Sequence, residues 1–153
     1  MREILFRGKR IDTGEWIKGS AINTQYDVKG DKHTYIGIFV ISERYPLMKT
    51  IEWYEVIPET VGQYTGLTNR NGKEIFEGDI VKEEYEVFVS ARAKEKRVKI
   101  GYVEYESNSL CCGYYAYFWN DKEKWRGNFA IHCGCETIGN IHDNPELLKG
   151  GAE

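Results

Sequence analysis

The sequence has no apolar run near the ~18 residues that a membrane-crossing helix requires, so no membrane span is expected. Proline is scarce, three residues against sixteen glycines. That argues against a proline-rich linker and suits tight turns between strands. No long segment repeats its apolar residues with a 3.6-residue period, and no internal repeat is visible. Excess positive charge is also missing. The formal net charge is −3, so nothing draws the whole chain toward nucleic acid or an anionic membrane. The start, Met1-Arg2-Glu3-Ile4-Leu5-Phe6-Arg7, lacks the apolar core of a signal peptide. A cytoplasmic location is the expectation, with the four cysteines as free thiols. There is no glycine-rich phosphate loop, and no Ser/His/Asp arrangement can be read from the spacing.

Aromatic residues are plentiful, at 14% of the chain, with eleven Tyr and four Trp. Such rings suit half-buried strand faces, where the ring packs and the polar tip stays wet. The chain is long enough to bury its own core without disulfides or a metal. One domain over residues 1–153 is expected, and if it divides, the sub-lobes are 1–57 and 58–148.

The pattern is that of many short strands. Residues 3–9 and Glu15 to Ile22 flank the turn Asp12-Thr13-Gly14 and predict an N-terminal hairpin. Asn23 to Lys32 reads as a loop, Tyr35 to Ile41 as a buried strand, and Ile51 to Ile57 as an alternating one. Asn71-Gly72 predicts a type I′ turn, with φ > 0 at both residues, between two extended segments. Ile80 to Val89 predicts a long strand, Ala91 to Arg97 an exposed mobile loop, and Val98 to Tyr105 a strand. Gly113 to Trp119, Lys124 to Ile131 and Thr137 to Ile141 complete the strands. Asn144-Pro145-Glu146-Leu147-Leu148 predicts a cap and one helical turn. The expected fold is all-β, a barrel or a sandwich, with at most one or two short helices.

Several stretches, in order along nearly the whole chain, resemble the YopX family of phage and prophage proteins. They are Phe6-Arg7-Gly8-Lys9 and Gly14-Glu15-Trp16-Ile17-Lys18-Gly19, then Val56 to Leu67, then Asn71-Gly72-Lys73 and Ile75 to Val81, and finally Ile138 to Leu148. The resemblance implies a β-rich fold with a small SH3-like barrel in the C-terminal part. It also implies a prophage gene expressed in a bacterial cytoplasm. It implies no activity and carries over no catalytic or binding residue.

Four groups of residues offer candidate chemistry, each with a plainer reading. Cys111-Cys112 and Cys133-Gly134-Cys135, with His132, offer zinc-ligand types, but adjacent and next-but-one cysteines lack the usual two to four intervening residues. Buried thiols are the better reading. Glu77 and Asp79 share one face of an extended chain and could act as paired carboxylates; a turn cap at Asp79 and a solvated Glu77 explain them as well. His142-Asp143 reads as surface. The aromatic band Tyr114 to Trp119, near Lys122, Lys124 and Arg126, could stack bases of single-stranded nucleic acid, although a core strand accounts for it more simply. No catalytic, cofactor or metal residues are assigned and no cofactor is called for. Tyr114, Tyr115, Tyr117 and Trp119 form the tentative binding surface. The leading reading is a non-enzymatic accessory protein that binds an unknown protein partner and self-associates through a face of that band. A nucleic-acid-binding β-barrel is the alternative and an enzyme the third.

Overall fold

The structure, a computed structural model, describes residues 3–42, 49–90, 93–107, 112–119, 124–128 and 134–148, with backbone alone at 112, 119 and 124–128. The protein is all-β with almost no helix, and it contains a curled half-barrel sheet. The chain forms two compact units, Met1–Tyr64 and Thr65–Glu153. The division lies inside the strand Gly62–Thr68.

In the first unit, β1 (Phe6–Lys9) and β2 (Trp16–Gly19) form the predicted hairpin, with Lys9 opposite Trp16. Its turn is closed by the Arg10 N–H donating to the Glu15 carbonyl at 2.9 Å. A third strand begins almost at once. β3 (Ala21–Tyr26) runs antiparallel to β4 (Lys32–Ile41), which pairs with β5 (Lys49–Val56). Two expectations are thereby corrected. Glu15 to Ile22 is two strands broken at Ser20, and half of the polar stretch Asn23 to Lys32, residues 23–26 and 32, is strand rather than loop. Polar residues are tolerated in β3 because it is the edge of its sheet and mostly exposed. The loop shrinks to a turn in which the Asp27 carboxylate accepts the N–H groups of Lys29 and Asp31.

One face of this sheet packs inward, burying Thr34, Ile36 and Val56. Glycine allows the close approach of the two layers. A β-carbon on Gly19 would lie 2.3 Å from the Gly37 carbonyl oxygen, and one on Gly8 would lie 2.9 Å from Ile36 Cδ1. A 3-10 turn, Pro58–Thr60, follows. The buried Thr60 hydroxyl donates to the Ile57 carbonyl at 2.7 Å and accepts the Lys9 N–H at 2.9 Å.

β6 (Gly62–Thr68) starts beside β1 and carries the chain into the second unit, where β7 (Glu74–Phe76) follows. Five strands then form one antiparallel sheet. They are β8 (Asp79–Ser90), β9 (Ala93–Ser107), β10 (Cys112–Trp119), β11 (Lys124–Asn128) and β12 (Glu136–Asn140), in the order β11-β10-β9-β8-β12. The core gathers Ile75, Val81, Val103, Ala116, Phe118 and Cys135. A second 3-10 turn, Pro145–Leu148, falls where Asn144-Pro145 predicts it and lies against β9.

The turn before β7 differs from the expected type I′. Gly72 has φ of +78°, and no non-glycine residue among those described has positive φ. The Gly72 N–H donates to the Asn69 carbonyl at 2.9 Å. This is a type I turn followed by a left-handed glycine. Asn69 sets the frame, because its buried side-chain oxygen accepts the N–H groups of Asn71 and Lys73, each at 2.9 Å. The mixed-charge segment read as a loop from Ala91 is strand from Ala93 onward, paired to β8 by Glu86–Lys96 and Tyr85–Arg97. Opposite charges across a strand pair favour the ladder. Residues 91 and 92 lie outside the described positions.

Candidate functional site

A row of exposed apolar side chains on a regular element belongs to the first unit. It lies on the outer face of the β3–β4–β5 sheet. Side chains alternate across a strand, so the burial of Thr34 and Ile36 turns Tyr35, Phe39 and Ile41 outward. β5 registers Ile41 opposite Lys49, Phe39 opposite Ile51, Gly37 opposite Trp53 and Tyr35 opposite Glu55. The shared side is confirmed at Gly37: a β-carbon there would meet Ile51 Cγ2 at 2.7 Å, Trp53 Cζ3 at 3.0 Å and Ala21 Cβ at 3.2 Å. Glycine lets the indole and the isoleucine lie over the middle strand. The apolar members stay open to solvent, with Phe39 56%, Ile41 67%, Ile51 37% and Trp53 45% exposed. Scattered exposed apolar residues are ordinary, whereas a contiguous row on one sheet face marks an interaction surface.

One end of the face is polar. A cavity of about 210 Å³ is lined by Gln25, Tyr26, Asp27, His33 and Tyr35. His33 Nδ1–H donates to Glu55 Oε1 at 2.6 Å, and its Nε2 lies 4.0 Å from Asp27 Oδ2. The Glu55 hydrogen bond is the main cause that raises the His33 pKa, with Glu55, Asp27 and Asp31 charges adding, while desolvation opposes them. The N–H of Asp31, with that of Lys29, holds the Asp27 carboxyl below the ordinary carboxylate range. The opposite end carries the exposed Lys49. The face is therefore an apolar strip with an acidic, histidine-bearing end and a basic end.

The sequence-predicted surface divides. Ala116 and Phe118 turn into the core of the second unit, and Tyr114, on their side, packs against that core. Tyr114 also meets Tyr105 edge-on, with ring centroids 5.2 Å apart. Tyr115 and Tyr117 take the other face, where Tyr117 stacks on Tyr102 at 5.7 Å and its hydroxyl donates to Glu106 at 2.7 Å. The Trp119 side chain lies outside the described residues, as do those of Lys122, Lys124 and Arg126. The four aromatic residues are thus not brought to one face. Of the cysteines, Cys135 is buried in the core, while Cys111, Cys133 and His132 and the side chain of Cys112 lie outside the described residues. No group of three or more His, Cys, Asp or Glu among the described residues is placed to hold a metal ion. Asp79 is a turn cap: its buried carboxylate accepts the Phe76 N–H at 2.9 Å. His142 and Asp143 are exposed on a turn closed by Asn140, whose side-chain oxygen accepts both of their N–H groups at 2.9 Å.

The β3–β4–β5 face was missed in the sequence because Ile36 to Ile41 is apolar at nearly every position. Such a run reads as a strand buried on both sides. The available signal was Glu55 on β5, a charged residue on the face it shares with Ile51 and Trp53.

These features define an all-β protein of two compact units with an open, apolar sheet face on the first. The chain belongs to the YopX family: the family model described as YopX protein matches residues 5–149. Among solved structures it is similar to protein EF1440 from Enterococcus faecalis, with 27% sequence identity and a TM-score of 0.52 over 95% of this chain and 97% of that one. No curated protein matches. No helix among the described residues is long and apolar enough to cross a membrane.

Proposed function

We propose that the protein is a non-enzymatic binding module, prophage-encoded and working in the host cytoplasm, that presents the outer face of the β3–β4–β5 sheet to a protein partner. In this reading the curled sheet is an SH3-like half barrel serving as scaffold. One observation carries the reading: Phe39, Ile41, Ile51 and Trp53 form a contiguous apolar row in water on a regular sheet. Such rows are the cores of protein interfaces, where aromatic anchors supply most of the affinity. The polar side chains of the family-matched stretches support it indirectly. Thr60, Asp79 and Asn140 each bind backbone N–H groups. They hold turns, and a general acid or base needs a free proton path to a substrate.

The test is capture from prophage-induced cells by the wild-type protein and by Trp53→Glu, each with nuclease treatment. The expected result is a nuclease-resistant partner retained by wild type and lost by the variant. An identical captured set, or capture that nuclease abolishes, contradicts the reading, the second outcome favouring nucleic-acid binding.

A further inference from the structure

We infer that the partner fitted by this face is a second copy of the chain, bound face to face across a two-fold axis. The inference rests on the reading of the face as a binding surface and names its occupant. The face is self-complementary in charge. Its four levels along β4 and β5 are Ile41/Lys49, Phe39/Ile51, Gly37/Trp53 and Tyr35/Glu55. A two-fold axis parallel to the sheet and perpendicular to its strands, at the level of Ile38 and Glu52, reverses that order in the second copy. Lys49 then lies over Glu55 of the second copy, and the Phe39 ring over the Ile51 and Trp53 side chains that lie across its Gly37. Ile51 meets Trp53, and Ile41 meets Tyr35. Each contact occurs twice, as a two-fold interface requires.

The alternative axis, parallel to the strands, sets Lys49 beside Lys49 and the acidic end beside the acidic end. Like charges at close approach disfavour it. The acidic end holds Glu55 and Asp27, with Asp31 near enough to act on His33. His33 lies between the Glu55 and Asp27 carboxylates, so the attraction of that end for Lys49 strengthens as the imidazole loses its proton. The face is a single three-stranded sheet. A dimer through this one face forms in a concentration-dependent equilibrium.

The test is sedimentation equilibrium of the full chain at low salt, up to several hundred micromolar. The wild-type mass is expected to rise from 17.8 kDa toward twice that value. K49E and E55K alone each remain monomeric, since each places like charges opposite one another. An equimolar mixture of the two restores the dimer, because K49E then faces E55K and the unmodified pair faces as before. Matching circular dichroism spectra of the single variants establish that both fold. A wild-type mass that stays at 17.8 kDa overturns the inference, as does a dimer that survives both single changes or a mixture that fails to associate. Capture of a different protein through Trp53 by a monomeric wild type overturns this inference alone and leaves the binding reading standing.

Discussion

Asn69 holds the turn before β7. It is 5% exposed, and its side-chain oxygen receives two backbone N–H groups while its own N–H donates to the Lys73 carbonyl. Asn69→Ala leaves both donors without their partner and is expected to cost about 1–3 kcal/mol, read as a lowered urea midpoint at unchanged slope. Gly72→Ala is expected to cost about 1 kcal/mol. At φ of +78° with no atom within 4 Å of an added β-carbon, the strain lies in the backbone alone. His33 is the titrating residue of the open face. Its pKa in the folded protein is raised above 6.5, chiefly by the Glu55 hydrogen bond. Its contribution to stability is therefore complete below about 6.5 and is lost as pH rises through the raised value. Asp27 behaves oppositely. Its lowered pKa gives a contribution present above 3.8 and lost as pH falls through the folded value. An NMR titration of His33 should show a midpoint above 6.5 that Glu55→Gln lowers. A midpoint unmoved by Glu55→Gln would show that the hydrogen bond is not the cause.

The strands were largely legible in the sequence, and their environments less so. The alternation of Val98 to Tyr105 marks β9 because Val103 faces the core and Glu104 faces water. Asn144-Pro145 marks the final 3-10 turn because its signals are local. Ala93 to Arg97 was not legible as strand, because local composition says only that it is charged, while its pairing with Tyr85 to Ser90 is set by the register of the whole hairpin. The open face was hidden for the same reason: whether a second sheet covers Phe39 is a property of the fold, not of Ile36 to Ile41. Nor could spacing foretell the Lys99–Glu83 pair. Lys99 is 9% exposed, with Nζ 2.8 Å from Glu83 Oε2 and 4.5 Å from the centre of the Phe118 ring. Removing one partner of such a pair leaves a buried charge uncompensated, so Lys99→Met should cost about 3–5 kcal/mol. Lys99→Met with Glu83→Leu should fall within about 1 kcal/mol of wild type. A double variant as unstable as the single one would show that packing of the lysine stem, not charge, is what the site requires. Gly101 tests how closely β9 meets β10. A β-carbon there would lie 2.2 Å from the Tyr117 carbonyl oxygen, so Gly101→Ala should lower the urea midpoint far more than Gly72→Ala.

The two units contribute differently to the proposed function. The second is an antiparallel sheet folded around Phe118, Val103 and Val81, with turns fixed by Asn69, Asp79 and Asn140. The first covers one side of its three-stranded sheet and leaves the other to solvent. Stretches that match the family span both units and serve the turns, which is why the resemblance was specific for the fold and silent on the partner. The central claim is that the face of Phe39 and Trp53, and not the band of Tyr115 and Tyr117, is where another chain binds. A photo-crosslinking amino acid placed at position 39 or at position 115, and irradiated in the producing cells, tests it most directly. The account predicts a covalent protein adduct from position 39 and none from position 115. An adduct from position 115 with none from position 39 would contradict it.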